Sequence, residues 1–573
     1  MGTASLRREA GCGCNRFTSG APGGLPALRN RVIGGPSSLA YLGALMRPPL
    51  LIPPPLMRPP HARRACILAL LLLALASPAL ATWHANEEIP VESPVYRLIE
   101  DLASSYAVPQ GMLHIRPWTR AQLGEFLDKI EAGSALASKD PALARLRREL
   151  EPLGGVEGLE PMLAGEEADA SYEVSSYLRA SYIEDNARST DTRDERVGLQ
   201  ASFAFGEHAL IFADAYAGTV TPGPHGTPDA GGSFVSSSSD VTTWYDRMYL
   251  TWQSRGFMVR AGHTWLDWGP GMSGNLGLSD GSPALDLAEA GVRLPGNARL
   301  QWFVSVLDPA AQTYLAGHRL EWRAGPSVEM GVAEYARFDG SGNVPLYMIP
   351  VVPFALIDRR VRSGTELDAD SLGTLASNNT MYTADFSWTW RPGTRFYGEL
   401  LVDDATRDNS RPLAIGWQAG AHLRRFMGRA AWSLRADYTR VYQYVYSTSN
   451  HLDFAFAGFP TGFPLGPDCD QFASRLDWRP SPEWNWGIEW LVVRDGAQQI
   501  GDAWQPGDPV PANMVLSSPW EREQRATFTA DWSPSPSVTL SGAVGFSKIL
   551  SLGHVELNDS DGANGRVQAA LRW

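Results

Sequence analysis

From Tyr172 to the end of the chain, apolar and polar residues alternate in short rows. Val197, Leu199, Ala201, Phe203 and Phe205 interleave with Arg196, Gly198, Gln200, Ser202 and Ala204. Ala298, Leu300, Trp302, Val304 and Val306 interleave with Arg299, Gln301, Phe303 and Ser305, and Tyr382 to Trp390 repeats the pattern. Successive side chains of a strand point to opposite faces, so each row predicts a strand that is oily on one side and polar on the other. The last row, Gly565–Trp573, sets Val567, Ala569, Leu571 and Trp573 on one face and ends on an aromatic. A final amphipathic strand can pair with the first and leave no open edge.

The connectors alternate too. Turns bearing Pro or Gly fall at 206–208, 255–256, 295–297, 324–327, 392–393, 426–428, 480–483 and 534–536. Longer polar stretches fall at 183–195, 218–244, 265–283, 308–316, 338–379, 403–412, 441–470, 494–520 and 548–563. Eight turns on one rim and nine loops on the other join 18 strands. Short turns facing long loops are the layout of an outer-membrane barrel, and rows of about 10 residues suit a tilted strand crossing the bilayer core. Trp388, Trp390, Trp478, Trp484, Trp486, Trp532 and Trp573 sit near row ends, where aromatic girdles belong. A soluble propeller is the structural rival, but no blade signature recurs.

Residues 87–165 read differently. Val95, Leu98, Ile99 and Leu102 fall at helical spacing. Thr119 is placed to cap a helix carrying Leu123, Phe126, Leu127 and Ile130, and Asp140 with Pro141 opens a third helix carrying Leu143, Leu146 and Leu150. The fold expected is therefore an all-β transmembrane barrel of about 18 antiparallel strands with a small N-terminal periplasmic α-helical bundle. Residues 82–165 form the bundle and 172–573 the barrel.

Ahead of the bundle, Met57–Arg64 is basic, Ala65–Ala76 is apolar and the stretch ends Pro78, Ala79, Leu80, Ala81. That is a secretory signal peptide over about 57–81 with cleavage after Ala81, and residues 1–56 read as an over-extended start. Its apolar run falls short of the roughly 20 residues of a helical span. The whole leader, 1–81, holds nine Arg against one Glu, a net +8, so the formal charge of −13 leaves about −21 on the remainder. An acidic exported body argues against nucleic acid as a partner. Cys12, Cys14 and Cys66 lie in the leader, and Cys469 alone can build neither a disulfide nor a multi-thiolate metal site.

The chain resembles the capsule assembly protein Wzi family of outer-membrane proteins from about Val95 to Trp573. The likeness is carried by Val95–Tyr96, by Arg116–Arg120, by Ala261–Gly271 with its Trp265, Asp267, Trp268 and Pro270, by Asn275–Ser279 and by Gly317–Trp322. The resemblance implies a monomeric barrel in the outer membrane of a Gram-negative bacterium. It also implies a lectin-like role, attaching capsular or other surface polysaccharide to the cell without enzymatic chemistry or a cofactor. The partners expected are that polysaccharide, outer-membrane lipid and, through the strand ending at Trp573, the barrel-assembly machinery.

Sugars stack their C–H faces on aromatic rings and pair their hydroxyls with polar side chains. Tyr442, Tyr444 and Tyr446, followed by Phe454, Phe456, Phe459 and Phe463, form one candidate contact set. They could equally be a strand reaching past the membrane with packed phenylalanines behind it. Trp265 and Trp268 beside Asp267 are a second set, unless Gly269, Pro270 and Gly271 simply turn the loop inward. Asn558–Gly562 and Asp191–Glu195 carry carboxylates but lack full calcium-loop spacing, and read as solvated loops. His208, His263, His318, His422 and His451 are scattered, and no nucleophile-elbow or zincin motif occurs. The alternative function is a porin for anionic or sugar solutes, which would line an open lumen with Arg196, Arg299, Arg435 and Arg475. The same arginines could instead sit in a filled ion-pair network.

Overall fold

The structure, a computed structural model, describes residues 84–106, 113–134, 137–151, 163–167, 170–219, 242–357, 378–404, 412–448, 452–505, 507–511 and 515–572. The leader, most of the loop at 218–244, His451 and Trp573 lie outside them.

The barrel closes with 18 antiparallel strands. They are β1 (Ala170–Asp185), β2 (Thr190–Phe205), β3 (Ala209–Thr219), β4 (Thr242–Gln253), β5 (Phe257–Thr264) and β6 (Leu285–Leu294). Next come β7 (Ala298–Asp308), β8 (Thr313–Arg323), β9 (Val328–Asp339), β10 (Asn379–Arg391), β11 (Thr394–Asp404) and β12 (Ala414–Met427). The series ends with β13 (Ala430–Val441), β14 (Cys469–Arg479), β15 (Trp484–Asp495), β16 (Glu521–Ser535), β17 (Val538–Leu550) and β18 (Ser560–Arg572). β18 pairs with β1 from Asn564↔Asp185 to Arg572↔Tyr177, so the ring has no free edge there. A short strand, Leu163–Glu167, folds back on the start of β1.

The two faces sort as the alternation requires. Leu250, Trp252, Ile488, Val544 and Val567 are exposed, on the outer face. Arg319, Glu321, Asp385, Glu399 and Gln418 are buried inside. This inversion of the soluble pattern is what a lipid-facing wall demands. Trp388, Trp390, Trp478 and Trp484 are exposed beside the short turns.

All eight short turns occur, three of them with bounds that differ by one or two residues. Three expected loops shrink because strands continue through them. The 183–195 stretch turns only at 186–189, the 308–316 stretch only at 309–312, and 548–563 only at 551–559. Asp191–Glu195 therefore lies on β2 in register with β1, and Ser560–Gly562 opens β18. Asp191–Glu195 is thus strand rather than the solvated loop expected, while Asn558 and Asp559 do lie in the exposed loop.

Three helices precede the barrel: α1 (Val95–Ser105), α2 (Arg120–Gly133) and α3 (Pro141–Glu149). Thr119 caps α2 through a capping box with Gln122. Asp140 caps α3, accepting from the Ala142 amide at 2.9 Å. The apolar stripes of the three helices meet in one core around Leu102, Leu123, Leu127 and Leu146.

Candidate functional site

The short-turn mouth is closed by the helices, and the fastening is ionic. Arg435 of β13 donates to Glu100 at 3.0 Å and to Asp101 at 2.9 Å. Arg479 of β14 donates to the other Asp101 oxygen at 2.8 Å, and His422 Nε2 lies 3.0 Å from that carboxylate. Arg424 of β12 grips Asp140 through two bonds of 2.7 Å, so the residue that caps α3 also ties it to the wall. Burial pushes the Asp101 carboxyl up, but Arg435, His422 and Arg479 outweigh it and hold the group well below the usual carboxylate range. Glu100 is also held low, Arg435 and Arg116 overriding its burial. A depressed folded pKa stabilises docking above the unfolded value and loses that stabilisation as pH falls through the folded one. Amide exchange in α1, corrected for intrinsic rate, should therefore be flat from about pH 8 to pH 5 and rise only below about pH 4.

Between the helices the chain runs into the bore. Ile115 pairs with Trp268 and Arg116 with Asp267, joining this segment to the loop that enters from the long-loop side. Arg116 donates to Asp267 at 2.9 Å, Asn275 donates to it at 2.5 Å, and the Gly269 amide donates to His114 O at 2.8 Å. The loop reaches inward because its turn is tight. Gly269 has φ +144°, and a Cβ on Gly271 would lie 2.0 Å from Gly274 O.

His114, Glu321 and Glu329 bring nitrogen and oxygen atoms of metal-ligand type within 4.8 Å of one another. Protein groups engage both ring nitrogens of His114 and one oxygen each of Glu321 and Glu329. Arg395 donates to His114 Nε2 at 3.0 Å, which leaves the proton on Nδ1 to be donated to Asp385 at 2.6 Å. The His114 amide donates to Glu321 at 3.1 Å and the Leu113 amide donates to Glu329. Arg319 holds Asp385 through bonds of 2.6 and 3.0 Å. These contacts make a lock between plug and wall.

Above it lies an apolar core inside the barrel. Trp268 meets Phe303 edge-on at 5.3 Å and lies 5.9 Å from Tyr335. Tyr446 donates to Leu276 O at 2.7 Å and accepts from the Phe463 amide at 3.1 Å. The Ser279 amide donates to Thr461 O at 2.9 Å, stitching the loop after β5 to the loop after β13.

The aromatic candidates separate accordingly. Trp268 and Tyr446 are fully buried, and Trp265 and Tyr442 nearly so, leaving no ring face open to a sugar. Trp265 donates to Ser282 O at 3.1 Å. Tyr444 alone of the five is half-exposed. The tyrosines do not prolong a strand either: β13 ends at Val441, and Tyr444 and Tyr446 have φ of +66° and +69°. Above Tyr444 folds the stretch after β15. Gly501 N donates to Ser447 Oγ at 3.0 Å, Gln498 hydrogen-bonds the Tyr444 hydroxyl, and Trp504 donates to Asp508 O at 3.3 Å. Tyr444, Gln498 and Asp502 are thus brought together on the outer side, with Trp504 held in the same stretch, and no period in the residue order marked Gln498 or Trp504.

The four lumenal arginines divide less evenly. Arg196 pairs with Asp246 at 3.2 Å, Arg435 binds the helices, and Arg475 grips Asp477 at 2.9 Å. Arg299 lies among the residues around Gln122 and Asn86 at the short-turn mouth.

The family model of capsule assembly protein Wzi matches residues 163–551. Among solved structures, the outer-membrane protein Wzi of Escherichia coli, described as a carbohydrate-binding β-barrel involved in group 1 capsule assembly, aligns with a TM-score of 0.57. It is 14% identical, over 86% of this chain and 99% of that one. A loop-deleted OmpT of Vibrio cholerae (9% identity, 71% of this chain and 100% of that one) reaches only 0.34. OprD of Pseudomonas aeruginosa (8%, 70% and 95%) reaches 0.38. A comparison with curated protein sequences finds no match.

Proposed function

This chain belongs to the capsule assembly protein Wzi family, and from that membership we propose that it holds surface polysaccharide at the outer face of the outer membrane by non-covalent contact. One observation supports this reading over a porin: the bore is occupied from both sides, by helices at one mouth and by inward-folded loops at the other. A barrel filled in this way offers its outer surface rather than a passage. In this proposal residues 1–81 are removed on export, 82–165 sit in the periplasm as the plug, and the protein acts as one copy without catalysis or cofactor. The barrel-assembly machinery would read the strand that ends at Trp573.

The contact surface proposed is the patch of Tyr444 and Trp504 with Gln498 and Asp502. Rings stack on sugar C–H faces while amide and carboxylate pair with hydroxyls. A polymer engages many copies at once, so modest single contacts suffice to retain it. Purified protein should retain the producer's own polysaccharide on a glycan array. Tyr444→Ala and Trp504→Ala should each weaken retention about 2- to 10-fold, the effect of losing one stacking contact. Undiminished retention in the double variant would move the site elsewhere. Large steady currents through the reconstituted wild type would revive the porin.

A further inference from the structure

The loop after β9 does not rise away from the barrel. Residues 344–357 turn down over the outer, lipid-facing wall. Val304, Ala316, Ala336 and Phe338 belong to the outward set of β7–β9, and Tyr347, Phe354 and Ile357 bury them. Tyr347 stacks on Phe338 with centroids 3.8 Å apart. This arm also covers a polar pair that lipid would punish. His318 and Glu334, outward and near mid-strand, lie 3.0 Å apart. Glu334 accepts from the Phe354 amide at 2.9 Å, and the Phe354 ring lies 4.4 Å from the His318 ring. Ionisable groups at membrane depth are costly and must be paired or covered.

The depth follows from the strands. Trp322, Val328 and Trp388 stand together beside a short turn, and about 10 residues of tilted strand cross the hydrocarbon. Counted from Val328, that span reaches about Phe338, so the arm lies within the half of the membrane nearer the long loops. Its own outer side fits this place: Met348, Ile349, Val351 and Leu356 are exposed.

Between the arm and β4–β8 is a cleft of about 500 Å³. Ala288, Val304, Val306, Tyr314, Val344 and Met348 make its walls apolar. Its polar groups collect at the end nearer the long loops. His263 and Asp286, each one residue from a strand end, pair at 2.8 Å, and Tyr245 meets the His263 ring at 4.8 Å. Among the described residues the lining includes no Lys or Arg.

We propose that this cleft holds the hydrocarbon chain of an outer-leaflet glycolipid, with its hydroxylated head against Tyr245, His263 and Asp286. The cleft opens onto the lipid-facing wall, so a hydrocarbon chain is what surrounds it. A carboxylate, an imidazole and a phenol match the hydroxyls of a sugar. The carboxylate of Asp286 repels a phosphate, and among the described residues no Lys or Arg lines the cleft to offset it. This inference does not rest on the polysaccharide reading, which concerns a different surface.

The test uses the full protein in phosphatidylcholine vesicles doped with either a galactosyl-headed or a phosphate-headed lipid, both carrying the same photoactivatable chain. The galactosyl lipid should label residues 286–288, 304–306 and 344–348 about fivefold more than the phosphate lipid does, the worth of one or two net hydrogen bonds. Ala288→Trp should remove this labelling and leave the rest of the barrel unchanged. Asp286→Ala, at an exposed side chain, should bring the two lipids level while chain labelling persists. Even labelling around the girth, or equal labelling by both lipids in the wild type, would overturn the proposal. Should Ala288→Trp lose the heat-modifiable gel shift of a folded barrel, the Asp286→Ala comparison decides alone.

Discussion

Asp101→Asn should release the helices from the barrel by about 3–5 kcal/mol, the usual result of removing one partner from a buried charge cluster. Asp101 is 1% exposed and sits between Arg435, Arg479 and His422. The neutral amide leaves Arg479 and His422 facing no formal charge from α1, while Glu100 still answers Arg435. The desolvation of these groups has then been incurred without its return. The expected readout is local. Protease should cut between α1 and α3 in the folded variant, while the barrel keeps its heat-modifiable gel shift. Arg147→Ala is the matched control. Its partners Asp128 and Glu131 are exposed, and such pairs contribute about 0–1 kcal/mol. If the Asp101 variant resists protease as the wild type does, the ionic clamp is not what holds the plug.

Trp268→Ala should cost about 3–5 kcal/mol of stability, the range for deleting a fully buried aromatic that leaves a cavity. Trp268 joins three parts of the fold. Its backbone pairs with Ile115 of the plug segment and bridges to Leu278, and its ring fills the space between Phe303 and Tyr335. The loss should appear as a lowered unfolding midpoint and as faster amide exchange at 266–278. Neither single variant should open the bore, because each leaves the other stopper in place. The double variant with Asp101→Asn should conduct in planar bilayers. An unchanged midpoint for Trp268→Ala would mean the inward loop is not seated as described.

Several elements were legible in the residue order for definite reasons. A wall between lipid and a polar interior forces a period of two, so β7 and β10 could be read directly from their alternation. Caps are local chemistry, so Thr119 and Asp140 announced α2 and α3. The same rule misled where its cause was absent. Asp191–Glu195 is strand, but it projects beyond the lipid and is wet on the outer face. Alternation fades there although the hydrogen-bond ladder with β1 continues. Tyr442, Tyr444 and Tyr446 keep the period of two without being strand. Left-handed backbone at Tyr444 and Tyr446 turns them back, and Tyr446 ends inside the core.

By itself, then, the sequence determined a closed barrel, its strand number, its turn rim and the helices ahead of it. Each of these follows from interactions between a residue and its near neighbours or its solvent. Only the tertiary structure decided that the bore is filled, that Arg116 meets Asp267 and Arg435 meets Asp101, and that an arm of chain lies against the lipid-facing wall. Those contacts join residues 151 and 334 positions apart. Pairings at such separation are set by how the ring closes around its contents, which no local period encodes.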